Sequence, residues 1–244
     1  LEVHEAPFTF ATARVVPSGL QALGHPPIKL PMIGCGGAVL QHPDGRVLHE
    51  RLMDGRVAAD AVKLFQDRGF GMTVILSPRG RHERRWWTPG GFTLMESFIA
   101  SHWKDESFVP LGGADDVAAL PIVGLSCCAP SGSLDVVADW ARQHPQLRFE
   151  LVDDPYQKGV QVGFLQDDRA SKGETLGILC EHLGAKTAKA TVFGDSHNDL
   201  SMFAAGHAWK KVAVDCAVPE IKALADEVLG PEDSVLHYIE RTIE

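Results

Sequence analysis

A chain of 244 residues, 45% apolar and 23% charged, has the composition of a globular protein forming one large domain or two small ones, which excludes disorder, collagen and long coiled coil. Its 32 acidic against 23 basic residues give a formal net charge of −9. That balance disfavours nucleic acid and anionic lipid as partners, because both repel the chain at long range.

No apolar run approaches the roughly 20 residues of a membrane-spanning helix, so no membrane partner is expected. The opening residues LEVHEAPFTF carry acids and no basic n-region, so no secretory signal is read there. Five cysteines without CxxC spacing fit reduced thiols and a cytoplasmic protein. The eleven histidines include no HExxH pair, which gives a zinc hydrolase little support.

In chain order, residues 7–12 (PFTFAT) read as a short strand and 15–23 as a helix. Residues 32–40 and 46–52 flank His42-Pro43-Asp44-Gly45, and Asp-Gly between apolar runs predicts a hairpin. Val57, Ala61, Val62 and Phe65 stand at helical spacing in a predicted helix over 55–70. Strands are predicted over 72–76 and 83–88, followed by a less regular stretch to about 119 that Pro89-Gly90-Gly91 interrupts. A strand over 121–128, a helix over 133–143 and strands over 147–152 and 160–165 come next.

From there strand and helix alternate strictly: helix 171–183, strand 190–193, helix 198–205, strand 211–214, helix 218–225 and a terminal helix 234–243. Alternation at this pitch predicts a parallel sheet with helices on both faces. The expected fold class is therefore α/β: a Rossmann-like core from residues 1–51 and 166–244, with an α+β insertion over 52–165.

Three strings carry chemistry. In TVFGDSHNDLSM (191–202) an apolar strand ends at Gly194, and Asp195 and Asp199 flank the turn into the next helix. Open α/β sheets bind ligands beyond the carboxyl ends of their strands, and two acids there suit Mg²⁺, which takes hard oxygen ligands and keeps several waters. The same acids also suit a helix N-terminus. Ser171-Lys172-Gly173-Glu174 has the Ser and Glu of a capping box. Lys172 is unexplained by capping, since a cation in the first turn opposes the helix dipole; it points to a bound anion or simply to solvent. Thr12-Ala13-Arg14, after the strand-like run, offers a hydroxyl and backbone amides to an anion, or an ordinary helix cap.

Together the strings resemble the haloacid dehalogenase-like hydrolase superfamily, in its Cof-type (subfamily IIB) sugar-phosphatase branch with a large inserted cap. Ala11–Arg14 (ATAR) is similar to the family's Thr-Gly-Arg motif, Ser171-Lys172-Gly173 to its lysine motif, and GDSHND at 194–199 to its acidic motif. Residues 36–52 and 212–230 are similar to the hairpin before the cap and to the segment after the acidic motif.

The resemblance implies Mg²⁺-dependent hydrolysis of a small phosphorylated metabolite through an aspartyl-phosphate. Thr12, Lys172 and Asp195 would be catalytic, Thr12, Ala13, Arg14, Lys172 and Asn198 would contact substrate, and Asp195 and Asp199 would hold the metal. The family's DxDGT motif, which supplies the nucleophile from a buried first strand, has no counterpart ahead of ATAR. The nucleophile is therefore expected in a further N-terminal segment, or supplied by another polypeptide. The alternative is a catalytically silent protein of this fold that binds a ligand or partner. Ala13 replaces the family's usual Gly, and Gly36 and Cys216 stand where relatives carry Asn. In the insertion, Arg79, Arg81, Arg84 and Arg85 beside Trp86 and Trp87 suit either an anionic ring-bearing substrate or an alternating hairpin with one Trp inward.

Overall fold

The computed structural model describes residues 7–79, 84–87, 108–154, 157–184, 190–206 and 208–242. The chain divides into two compact units, Leu1–His49 with Ser171–Glu244, and Glu50–Ala170.

In the first unit the run 7–12 is not a strand of its own. Ala11 forms an isolated parallel bridge to Ile33, held by Thr12 N–H to Ile33 O at 2.8 Å and Ile33 N–H to Phe10 O at 3.0 Å. Helix α1 (Val16–Ala22) follows, with proline in its first turn. The expected strand 32–40 is broken in two. β1 (Met32–Gly34) and β2 (Val39–Gln41) pair antiparallel around a 3₁₀ turn, Cys35–Gly37, whose residues have φ of 50°, 63° and 107°. A run of left-handed residues cannot continue a pleated strand, which is why two glycines stand there. β3 (Val47–Glu50) follows the predicted Asp44-Gly45 turn, in which Gly45 has φ 95°.

The second unit begins with α2 (Gly55–Asp67), capped by Asp54, whose carboxylate accepts the Arg56 and Val57 amides. Its strands are β4 (Gly71–Leu76), β5 (Arg84–Trp87), β6 (Phe108–Pro110), β7 (Ile122–Pro130), β8 (Leu147–Asp153) and β9 (Val160–Asp167), with α3 (Asp135–Arg142) between β7 and β8. They form one sheet in the order β6-β5-β4-β7-β9-β8. Ala58, Ala61, Val62 and Phe65 of α2 and Val137 and Ala141 of α3 pack with Met72, Val74, Leu125, Cys127 and Leu165. Gly163 has no side chain because a Cβ there would lie 2.6 Å from the Phe149 ring. At the centre of the sheet Thr73 and Ser126, both buried, share a hydrogen bond at 2.6 Å.

The chain then returns to the first unit with α4 (Lys172–His182), β10 (Ala190–Gly194), α5 (Leu200–Ala204), β11 (Ala208–Ala213), α6 (Pro219–Leu224), β12 (Glu227–Val228) and α7 (Val235–Thr242). β10, β11 and β12 are parallel. Helices cover both faces. Val192 and Ala213 pack with Leu176 and Leu179 of α4, Phe203 of α5 and Ile221 of α6. The alternate residues Phe193 and Val212 pack with Tyr238 of α7, the Phe193 and Tyr238 rings edge to face at 5.5 Å. β11 starts three residues earlier than the pattern suggests, because Ala208 and Lys210 pair with β10 although the mixed, partly exposed side chains of residues 208–210 give no apolar run. β12 is too short to show a period. Among the described residues β10 pairs with β11 alone.

Candidate active site

β10 ends at Gly194, where a Cβ would lie 2.8 Å from Asp199 Cβ and from the Phe203 ring. Only glycine lets the following turn fold back against the strand. That turn closes on one carboxylate: Asp199 Oδ2 accepts the backbone N–H of Asp195 at 3.1 Å and of Ser196 at 3.3 Å. Asp199 Oδ1 accepts from Lys172 Nζ at 2.7 Å. Lys172 Nζ also donates to Asn198 Oδ1 at 2.8 Å, an oxygen that accepts from Ser196 Oγ at 3.0 Å as well.

Lys172 opens α4, its backbone set by the Ser171 hydroxyl, which accepts the Glu174 N–H at 3.2 Å. The unfavourable charge at this helix start is explained by an acid from the far end of β10. The Lys172 and Asp199 side chains are 5% and 7% exposed, and each makes further hydrogen bonds, which help a buried ion pair recover its desolvation. Gly173 brings the two helix starts into backbone contact: its N–H donates to Ser201 Oγ at 3.0 Å, and a Cβ there would sit 2.1 Å from Ser201 O.

Asp195 is exposed, beside this cluster. Partial burial and then the negative charge of Asp199 hold its carboxyl above the ordinary value, with Lys172 pulling the other way. Two carboxylates share one ammonium, so the site is short of positive charge. Mg²⁺ fits such a donor set, since it binds one or two carboxylates and keeps several waters. The two acids differ, however. Asp195 offers an exposed carboxylate, whereas both oxygens of Asp199 already hold donors. Among the described residues no group of three or more His, Cys, Asp or Glu is arranged to hold a metal.

The Thr12 loop is a tight turn: Thr12 Oγ1 accepts the Arg14 N–H at 3.1 Å. Of the amides expected to face an anion, those of Thr12 and Arg14 are therefore engaged internally, while Ala13 is exposed. The loop is clipped to the 3₁₀ turn by Gly36 N–H to Thr12 O at 3.0 Å and Cys35 N–H to Arg14 O at 2.8 Å. Lys172, Asn198, Asp199 and Asp195 thus form one bonded cluster. The bonded path between Thr12 and that cluster runs through the 35–37 turn. Asn198, expected at the substrate, has its oxygen engaged by Lys172 and Ser196. Ser196, Thr175 and Ser201 carry no charge and repeat at no telling spacing, so sequence reasoning passed over them.

In the second unit Arg79 Nε pairs with Glu50 at 3.0 Å, and Ser77 Oγ donates to the same carboxylate. Trp87 packs against the helix-side core. Arg81 and the Arg84 side chain lie outside the described residues.

The haloacid dehalogenase-like hydrolase profile matches residues 133–239. The HMP-PP phosphatase of Serratia proteamaculans is 37% identical over 210 residues, covering 75% of this chain and 72% of that protein. A shorter match, 41% over 75 residues, joins 30% of this chain to 32% of the phosphoglycolate phosphatase of Sulfurisphaera tokodaii. A solved HAD subclass IIB sugar phosphatase superposes with a TM-score of 0.73 at 19% identity, covering 98% of this chain and 86% of that one, a likeness of fold. With identity above a third sustained over most of both sequences, and the same α/β architecture, the chain belongs to the haloacid dehalogenase-like hydrolases.

Proposed function

We propose that the protein is a Mg²⁺-dependent phosphatase that hydrolyses a small, sugar-phosphate-like metabolite through an aspartyl-phosphate intermediate. The observation that carries this reading is the buried Lys172 bridging Asn198 and Asp199 beside the exposed Asp195 at the end of β10. Relatives named as phosphatases support it.

Asp195 is the carboxylate that faces the cation, and Asp199 stands behind it, fixing Lys172 and the turn. When bound, Mg²⁺ neutralises charge on the phosphoryl oxygens. An ammonium has three donors; with two engaged by Asn198 and Asp199, Lys172 keeps one for a phosphoryl oxygen. Thr12 contributes its hydroxyl hydrogen, Ala13 its amide and Arg14 its charge. In a loose phosphoryl-transfer transition state, such positioning and charge compensation is most of what a protein supplies.

The nucleophile is an aspartate of the kind the DxDGT motif supplies, outside the three strings named above. The phosphoryl group passes to it as the substrate's ester oxygen departs, and water then releases inorganic phosphate. That β10 pairs with β11 alone among the described residues supports a further strand beside it. The inserted unit, Glu50–Ala170, selects the leaving group, and five unbridged cysteines fit action in the cytoplasm.

The test is phosphate release from p-nitrophenyl phosphate and a panel of sugar phosphates by the intact polypeptide, with Mg²⁺ or with EDTA. Turnover is expected with Mg²⁺ only, lost in Asp195→Ala and lowered about 100-fold or more in Lys172→Ala. Unchanged turnover in both variants would reject the site. Thermal stabilisation by a metabolite without phosphate release would favour a silent binding protein.

A further inference from the structure

Thr175 is a buried polar residue that neither catalysis nor helix formation requires. It lies on the first turns of α4, 1% exposed, with Leu176 and Leu179 of the core next to it. A threonine inside a helix ordinarily turns its hydroxyl to the carbonyl one turn back. Here that carbonyl, Ser171 O, receives the Thr175 backbone N–H at 3.1 Å. The hydroxyl instead leaves the helix and donates to Gly37 O at 2.6 Å, across 138 residues of sequence.

The acceptor belongs to the left-handed turn 35–37, two of whose amides are committed to the Thr12 loop. Gly36 N–H and Cys35 N–H hold the carbonyls of Thr12 and Arg14. The turn is pressed onto the start of α4, since a Cβ on Gly37 would lie 2.1 Å from the Ser171 carbonyl carbon. A continuous path follows: Thr12 to Gly36 by a hydrogen bond, Gly36 to Gly37 by the chain, Gly37 to Thr175 by the hydroxyl, and Thr175 to Lys172 within one helical turn.

We infer that Thr175 is a positioning residue that sets the distance between the Thr12 anion loop and the Lys172 ammonium, so that both meet one phosphate. The inference rests on the phosphatase reading. It deepens that reading by assigning the joint between the two halves of the anion site to a hydroxyl on the hidden side of α4. Ser201 makes the corresponding tie on the other side, from Gly173 N–H towards the acidic turn. Thr175 joins α4 to the turn that is bonded to the Thr12 loop.

The test is calorimetric titration of inorganic phosphate into the chain, in the presence of Mg²⁺, for wild type, Thr175→Val, Thr175→Ser and Thr73→Val. Valine keeps the shape and removes the hydroxyl; roughly tenfold weaker phosphate binding is expected, with serine within about twofold of wild type. Thr73→Val removes a buried hydroxyl in the other unit and controls for destabilisation alone; its phosphate affinity is expected to be unchanged. Backbone amide spectra should show the phosphate-induced shift at Ala13 reduced in Thr175→Val while that at Lys172 persists. Should Thr175→Val fail to fold, Thr175→Ala, which loses the hydroxyl with less crowding, takes its place. Valine binding phosphate as wild type does, or serine binding as weakly as valine, would overturn the inference. Wild type binding no phosphate would remove the phosphatase reading itself, an outcome distinct from either.

Discussion

Lys172 and Asp199, 27 residues apart in the chain, meet at 2.7 Å with their side chains 5% and 7% exposed. Neither charge suits its place alone: one is a cation at a helix start, the other an acid buried under a strand end. Each is the reason the other is tolerated. Asp195, four residues before Asp199, is exposed and free of that constraint, so two acids of one motif have opposite relations to stability.

The contrast is measurable. Asp199→Ala leaves Lys172 buried without its counter-charge and is expected to cost about 3–5 kcal/mol in urea unfolding. Asp195→Asn should stay within about 0.5 kcal/mol of wild type while abolishing Mg²⁺-dependent turnover. Equal stability losses in the two variants would mean the acids share one role.

Two left-handed glycines separate conformational strain from packing. Gly45, φ 95°, has open space where a Cβ would point, so Gly45→Ala should cost about 1 kcal/mol through the backbone alone. Gly37, φ 107°, would drive its Cβ into the Ser171 backbone at 2.1 Å. Gly37→Ala should exceed Gly45→Ala by about 2 kcal/mol or more in the same assay, because backbone has to move.

The Thr73–Ser126 pair calls for a double-mutant cycle. Either Thr73→Val or Ser126→Ala strands a buried hydroxyl and should cost about 1–3 kcal/mol. The double variant is expected to lose less than the sum of the two, since no unpaired group remains. Additive losses would show that the hydroxyls do not depend on each other.

His42, in the turn after β2, supplies a pH dependence. Its Nε2 is buried without a hydrogen-bond partner among the described residues, and its ring meets that of His182 edge to face at 6.3 Å. Burial first, then Arg46 and His182, hold its pKa below the usual histidine value against the opposing pull of Asp44. The unfolded chain therefore takes up this proton first as pH falls, and folding stability declines below about pH 6.5. His42→Gln should flatten the difference between urea midpoints at pH 7.5 and pH 5.5. An undiminished difference would assign it to other groups.

The parallel core was legible because a buried strand and an amphipathic helix each impress a period on the chain, and GDSHND and SKG stand where those periods break. The turn at Cys35–Gly37 was not legible as a break in strand 32–40. Its glycines suggest freedom, but only the bridge of Ile33 to Ala11 and the press of α4 require left-handed backbone there. β12, two residues long, is a strand only because β11 lies beside it.

By itself the sequence determined the alternating α/β order and the residue types of the candidate site, since these follow from local periodicity and from motifs only a few residues long. Tertiary structure alone decided that Asp199 faces Lys172 while Asp195 remains exposed, that Asn198 is occupied by its neighbours, and that Thr175 reaches Gly37. Those are questions of which groups lie within 3 Å across tens of residues of chain, and hydrogen bonds and burial answer them only after the sheet and its helices have packed.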